Sequence, residues 1–189
     1  MQLAMSASDV DLIQRISAGD STAIQVLYGR HHVKIFRFVM RFVKNEALAE
    51  ELTNEVFLDV WRQAGRFEGK SAVSTWMLSI GRNKSISLLR KKRDEALDDR
   101  QAEQIADHGD DPELAAQKAN KGELMRRCIE QLSDEHREVI DLVYYHGKSV
   151  KEVAEIVEVS PNTVKTRMFY ARKNLSGLLK EAGIDRGWP

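Results

Sequence analysis

Residues 149–180, SVKEVAEIVEVSPNTVKTRMFYARKNLSGLLK, contain two helix start signals in close succession. Ser149 followed by Glu152 is a capping box, which predicts a helix from Val150. Ser160 followed by Pro161 is an N-cap with proline at the first helical position. An apolar stripe at three- and four-residue steps then consists of Val164, Met168, Ala171, Leu175 and Leu178. The segment therefore predicts two helices joined by a tight turn, the second with one buried face.

The second helix has charge of only one sign. Between 160 and 180 there are five lysines and arginines and no acidic residue. The side chains expected to be exposed on this helix, and so to contact DNA, are Asn162, Lys165, Thr166, Phe169, Arg172 and Lys173. A basic helix after a tight turn is typical of a recognition helix that lies along phosphates. From this segment alone, a helical hairpin with a solvated basic face stays open as the alternative.

The composition favours an all-α fold in one or two small domains. The chain has 189 residues, with only 3 prolines and 11 glycines, and few alternating apolar and polar runs. No apolar run reaches the roughly 18 residues that a membrane span needs, and the N-terminus lacks the order of a secretory signal, so we expect a cytoplasmic protein. The single Cys128 cannot form an internal disulfide and lies on an apolar helical face, which favours a core residue over a reactive thiol.

The neutral net charge conceals three segments of different character. Up to Arg93 there are 15 basic and 9 acidic residues, and most of the aromatic residues lie here. From Asp94 to Asn120 there are 9 acidic and 2 basic residues and no aromatic residue. We therefore predict a first helical domain at 9–93, an acidic flexible linker at 94–122 and a second helical domain at 123–182. From charge alone, the linker is either a solvating tether or a mimic of nucleic acid in a partner's basic channel.

Apolar periodicity and caps divide both domains into helices. The predicted helices are 9–18, 21–43, 47–61 and 74–93 in the first domain, and 124–132, a helix from Ser133 to Gly147, and the pair described above in the second. A loop is predicted at 63–73. Short helical pieces such as 112–118 are compatible with the linker.

Two surfaces of the first domain stand out. Helix 47–61 has an acidic face with Glu50, Glu51, Asn54, Glu55, Leu58 and Asp59, which fits either a protein contact or an ordinary solvated surface. The loop and helix that follow combine cations with groups able to hydrogen-bond a base: Arg66, Lys70 and Ser71, then Trp76, Arg82 and Asn83. That combination suits single-stranded DNA, although Trp76 alone is more typical of a core residue.

Three motifs in this order resemble bacterial extracytoplasmic-function (ECF) sigma factors of the sigma-70 family. They are ELTNEVFLDVWR (51–62), RFEGKSAVSTWMLSIGRNKSISLLRKKR (66–93) and LSDEHREVIDLVYYHGKSVKEVAEIVEVSPNTVKTRMFYARKNL (132–175). The resemblance extends over nearly the whole chain. It implies sigma region 2 and a region 4 helix-turn-helix joined by a linker that runs near the polymerase active site.

The resemblance implies partners and roles for named residues. Core RNA polymerase would be bound through its β′ clamp helices and β subunit, with Glu51, Asn54, Glu55, Phe57 and Leu58 in the region that docks on the clamp. Melting of the −10 element and capture of a flipped base would involve Arg66, Lys70, Ser71, Ala72, Trp76, Arg82 and Asn83. The −35 element would be read in the major groove from the second helix of the helix-turn-helix, where the resemblance adds Arg167 to Lys165, Thr166 and Phe169. A cognate anti-sigma factor that holds the protein inactive, as in stress responses, is also implied.

The chain departs from the family at two positions, and other classes of function remain as alternatives. Asn54 stands where the family often has Gln, and Ser87 where it often has Asp, which affects clamp affinity or −10 preference. The alternative function is a polymerase-independent, LuxR-like helix-turn-helix regulator. An enzyme has almost no support, since no nucleophile elbow, phosphate loop or paired catalytic carboxylates are present. Five scattered histidines lack metal-ligand spacing, so neither a metal, a cofactor nor a small-molecule substrate is expected.

Overall fold

The computed structural model describes residues 7–98 and 120–183, and all regular structure in these two ranges is helical. The helices are α1 (Asp9–Ser17), α2 (Ser21–Val43), α3 (Glu46–Gln63), α4 (Val73–Asp98), α5 (Asn120–Glu130), α6 (Asp134–Ile140), α7 (Val150–Val157) and α8 (Pro161–Glu181). A 3₁₀ turn occupies Ala64–Arg66, and a π-helical turn occupies Asp141–Tyr145. The predicted all-α class is confirmed.

The first compact unit contains α1–α4. Its core is formed by fully buried side chains from all four helices: Leu12, Leu27, Phe38, Val39, Val56, Val60 and Met77. Gly81 of α4 is buried against α2 and α3, and a Cβ there would lie 3.4 Å from a side-chain methyl of Val39 and 3.6 Å from one of Val56. The absence of a side chain at 81 therefore lets α4 pack tightly across α2 and α3.

Polar side chains fix the starts of the first two helices. Ser8 and Asp11 form a capping box on α1, and the Asp20 carboxylate accepts from the amides of Thr22 and Ala23 to cap α2. Asp9 also ties α1 to α2, with Arg30 at 2.8 Å and His31 at 2.7 Å from its two carboxylate oxygens. Burial opposes ionisation of Asp9, but these two hydrogen bonds outweigh it and hold the pKa of Asp9 below its ordinary value.

The second unit packs α5 and α6 against α8. Its core consists mostly of apolar side chains: Cys128, Leu132, Val139, Ile140, Leu142, Val164, Met168, Ala171, Leu175 and Leu179. Cys128 is thus a core residue, as predicted. The side chains of Asp141 and His146 are also buried in this unit, with Asp141 Oδ2 3.5 Å from His146 Nε2. The prediction of Leu178 as part of the buried stripe is wrong, since Leu178 is half-buried while Leu179 is buried. The buried stripe continues from Leu175 to Leu179, a step of four residues, because the side chains that pack on the neighbouring helices follow a single row along α8.

The predicted caps of the helix-turn-helix are confirmed. Ser149 and Glu152 form the capping box of α7, and the Ser160 hydroxyl accepts from the amide of Thr163 at the start of α8. Glu158 adopts a left-handed conformation with φ 57° and ends α7 two residues before that second cap. A three-residue turn therefore separates the two helices.

The ends of the helices next to the predicted linker differ from expectation. α4 runs five residues past Arg93, and pairs one turn apart, Arg90 with Asp94 and Lys91 with Glu95, support the extension. α5 begins four residues before the predicted Leu124. Residues 99–119, including the short helix suggested at 112–118, lie outside the described residues.

Candidate nucleic-acid interface

Helix α8 presents one exposed polar face. Asn162, Lys165, Thr166, Phe169 and Lys173 are all exposed, and steps of three, one, three and four residues place them on the side opposite the core stripe. The Phe169 side chain is 60% exposed, which is unusual for a large apolar residue. A basic face with an exposed aromatic ring can contact phosphates and the methyl groups of thymine.

Two predicted residues of α8 lie at the edge of this face. Arg167 is directed at α6, where its Nη2 donates to Glu135 Oε1 at 2.8 Å, and its side chain is only 19% exposed. Arg172 is exposed but donates from Nε to the carbonyl oxygen of Met168, within its own helix. The structure thus separates Arg167 from the exposed set.

Tyr170 was missed in the sequence. Its side chain is 48% exposed, and its ring lies edge-on to Phe169 with centroids 5.3 Å apart. It follows Thr166 by four residues, so helical spacing alone places it on the polar face.

A second candidate surface joins the loop after the 3₁₀ turn to helix α4. Arg66, Lys70 and Ala72 are exposed, Ser71 is half-buried, and Lys70 pairs with Glu68. Trp76 is half-buried, with its ring 4.9 Å from that of Phe67. It is therefore neither a fully buried core residue nor a free stacking surface.

Asn83 is exposed on the same side of α4 as Trp76. The step of seven positions from Trp76 to Asn83 makes two helical turns, about 10 Å along the axis. Arg82 beside it is half-buried. Loop cations, an aromatic ring and an amide therefore follow one another along a single edge of the unit.

The acidic helix α3 has a third candidate surface, which is partly apolar. Glu51 and Asn54 are exposed, and Leu58 and Trp61 are 52% and 39% exposed. A shallow cavity of about 520 Å³ is lined by Ser21, Ile24, Asn54, Phe57, Leu58 and Trp61. This apolar depression lies beside the acidic residues.

Two residues predicted on this face are engaged inside the unit. Phe57 is only 5% exposed and packs its ring 4.6 Å from that of Tyr28, so it forms the floor of the depression. Glu55 is half-buried, and its Oε2 lies 3.0 Å from Nζ of Lys84 in α4.

Lys84 also reaches Asp59, whose Oδ2 lies 2.9 Å from Nζ. Burial opposes the ammonium charge, but the carboxylates of Asp59 and Glu55 outweigh it and raise the pKa of Lys84 above its ordinary value. Lys84 thus neutralises part of the negative charge of the acidic face, while Glu50 and Glu51 stay exposed.

In ranges 7–98 and 120–183, no three His, Cys, Asp or Glu side chains are grouped so as to hold a metal ion. None of the helices in the same ranges is both long enough and apolar enough to cross a membrane.

Comparison with known proteins assigns both halves of the chain to one family. The model of Sigma-70 region 2 matches residues 27–95, and that of Sigma-70, region 4 matches residues 122–175. The chain is 29% identical to the ECF RNA polymerase sigma factor SigK of Mycobacterium tuberculosis over 179 residues, covering 92% of this chain and 95% of SigK. It is also 29% identical to the RNA polymerase sigma-H factor of Pseudomonas aeruginosa over 187 residues, covering 92% and 97%.

Solved structures show the same fold. RpoE of Bartonella quintana, in complex with the anti-sigma factor NepR, matches with a TM-score of 0.66 and 25% identity over 86% of this chain and 98% of RpoE. CnrH, in complex with the cytosolic domain of CnrY, matches with a TM-score of 0.67 and 24% identity over 93% and 99%. With region 2 and region 4 present in order, the chain belongs to the sigma-70 family and is an RNA polymerase sigma factor of the ECF type, a factor for promoter-specific transcription initiation.

Proposed function

We propose that this sigma factor docks on the β′ clamp helices of core RNA polymerase through α3. The contact surface comprises Glu51, Asn54 and Leu58, with Glu55 at its edge and Phe57 supporting it from the core. The observation that carries this proposal is the exposure of Leu58 and Trp61 around an apolar depression next to acidic side chains. Exposed apolar area with a charged rim is typical of protein interfaces.

The −10 element is melted and held at the loop 66–72 and α4. Arg66 and Lys70 contact phosphates, with Ser71 and Ala72 in the loop between them and the helix. Trp76, whose ring is half-buried against Phe67, contacts the unpaired base with its exposed part, and Asn83, beside Arg82, hydrogen-bonds the base edge. The support is the exposure of Arg66, Lys70 and Asn83 along one edge of the unit.

The −35 element is read by α8. Asn162, Lys165, Thr166 and Phe169 face the major groove, and Arg172 and Lys173 contact the backbone. Arg167 acts through its ion pair with Glu135, which holds α8 on α6. Each unit alone binds DNA weakly, and joining both units on the polymerase, where the second also contacts the β subunit, raises the effective concentration of each.

The domain limits 9–93 and 123–182, with the acidic linker 94–122 between them, remain our working division of the chain. In this account the linker runs near the polymerase active site, and the chain itself performs no catalysis. The nucleotidyl transfer belongs to the polymerase. The protein acts in the cytoplasm, where core polymerase and promoter DNA are found.

An anti-sigma factor regulates this protein. The support is the 25% identical RpoE, whose structure holds the anti-sigma factor NepR. Affinity purification of the native protein tests this directly. We expect a second small partner besides polymerase subunits, and recovery of polymerase alone would contradict the proposal.

The reconstituted holoenzyme on host DNA tests the whole assignment. We expect protection of two separate elements, with reactive unpaired thymines only in the downstream one. A LuxR-like regulator, the alternative, would protect a palindrome without polymerase and leave the duplex closed. That alternative is not favoured, because matches to region 2 and region 4 together cover both units.

A further inference from the structure

A cluster of charged side chains, Lys84 with Glu55 and Asp59, links α3 and α4. One ammonium lies 3.0 Å from Glu55 Oε2 and 2.9 Å from Asp59 Oδ2. The side chains of Lys84 and Asp59 are each only 23% exposed, so solvent screens this cluster less than the surface pairs elsewhere on α4. Its three members belong to two helices that have different roles in the proposed function.

Lys84 directly follows Asn83 in α4, and the nearby residues Gly81 and Ser85 are buried. Gly81 is buried against Val39 and Val56, and Ser85 is fully buried with its hydroxyl donating to the carbonyl oxygen of Gly81. Gly81 and Ser85 therefore fix the depth at which α4 packs. They contribute no polar contact to α3, whereas Lys84 holds one side of α4 against two carboxylates of α3.

We propose that Lys84 is a positioning residue that couples the polymerase-docking helix to the helix that captures the −10 base. By holding α4 in one rotation relative to α3, Lys84 fixes the direction in which Asn83 faces the DNA. A rotation of one residue step would move Asn83 by 100° around the axis. Lys84 touches neither DNA nor polymerase in this account. The inference depends on the proposed function, because it requires α3 to dock on polymerase and Asn83 to hold a base.

The test compares Lys84→Met with wild type in reconstituted holoenzyme on a promoter located by footprinting. Methionine keeps much of the apolar stem and removes the charge. Two quantities are measured: affinity for core polymerase, and the rate at which −10 thymines become reactive to permanganate. We expect the opening rate to fall about tenfold, as for loss of a charge-assisted hydrogen bond, while affinity for core polymerase changes less than about threefold. Lys34→Met, an exposed lysine of α2, is the matched control and should change neither quantity.

A second pair of variants separates positioning from a general loss of stability. Asp59→Asn removes a partner carboxylate without altering Glu51, Asn54 or Leu58, and we expect the same opening defect. The double variant should be no slower than either single variant, because both act through one contact. Lys84→Arg should restore most of the opening rate. Circular dichroism of each variant confirms that the helices are intact.

The outcomes distinguish the inference from the function on which it depends. If wild type opens the promoter and Lys84→Met opens it at the same rate, Lys84 is not a positioning residue. Equal losses in polymerase affinity and opening, or additive effects of Lys84→Met and Asp59→Asn, would also overturn the inference. If wild type itself neither binds polymerase nor opens DNA, the proposed function fails instead.

Discussion

Arg167 and Lys165 lie two positions apart on α8 and are expected to respond differently to truncation. Arg167 is paired with Glu135 and mostly buried, whereas Lys165 is exposed and faces away from the core. Lys165→Ala should weaken promoter binding by about 1–3 kcal/mol if it contacts a base edge, and equally on all sequences if it contacts a phosphate. Filter binding of holoenzyme to the promoter and to unrelated duplexes separates these cases.

Arg167→Ala should instead destabilise the second unit by about 1 kcal/mol, because it leaves Glu135 without this cation and removes packing at α6. Hydrogen exchange of the α8 amides in the full chain measures this loss. Faster exchange in Arg167→Ala but not in Lys165→Ala is the expected pattern. Unchanged exchange in Arg167→Ala would contradict a structural role for Arg167.

Ionisation of Asp9 makes the free energy of unfolding of the first unit depend on pH. The pKa values of Asp9, Asp11 and Asp20 all lie below the ordinary 3.8. Because each group is harder to protonate when folded, its contribution is complete above that value and is lost as pH falls through the lower, folded-state pKa. The free energy of unfolding should therefore drop as the pH falls below about 4.

Asp9→Asn should lower the free energy of unfolding at pH 7 by about 1 kcal/mol and make it less sensitive to acid. Urea titrations followed by the fluorescence of Trp61 and Trp76, both in the first unit, provide the measurement. Gln14→Glu, on the exposed side of α1, is a control that should leave the contribution of Asp9 in place. If the free energy of unfolding of Asp9→Asn fell with pH as steeply as that of wild type, the role of the ion pairs of Asp9 with Arg30 and His31 would be contradicted.

At the level of helices, capping residues and apolar spacing in the sequence were sufficient to predict where most helices begin. The remaining features depend on how the helices pack together. α2 has the predicted bounds of 21–43, since Asp20 caps one end and Lys44 in a left-handed conformation ends the other. Which of Leu178 and Leu179 is buried depends on the partner helices, and both fit a helical stripe. The ion pairs of Arg167 and Lys84 join residues 32, 29 and 25 positions apart, so no local pattern could reveal them.

Local sequence patterns were also insufficient to predict every residue of the candidate surfaces. Exposure of Lys165 and Phe169 followed from helical spacing. Burial of Phe57 did not, because its contact with Tyr28 requires α2 and α3 to be packed together. The assignment of DNA and polymerase contacts came from the family resemblance and remains a proposal.

The burial of Leu179 leads to a prediction for the last turns of α8. Leu179→Ala should cost about 2–4 kcal/mol through lost burial and the cavity left behind, and Leu178→Ala should cost less than half as much. Urea unfolding of the full chain, with hydrogen exchange of the α8 amides to locate the change, provides the comparison. Equal costs would mean that the two leucines share the core contact.

For the whole molecule, the account requires two helical units that act together only when polymerase holds them. In the proposed function each unit alone binds DNA weakly, and their combination on core polymerase supplies affinity through effective concentration. This separates the protein from regulators that dimerise on palindromes, because its two DNA elements differ and one of them must be single-stranded.

Reconstitution of the full chain with core RNA polymerase tests this claim most directly. The purified protein is mixed with core enzyme and assayed by gel filtration and by run-off transcription from a promoter without a dyad. We predict co-elution with polymerase and a transcript from one start site that core enzyme alone does not produce. A chain that neither co-elutes with core enzyme nor directs a specific transcript would contradict the account.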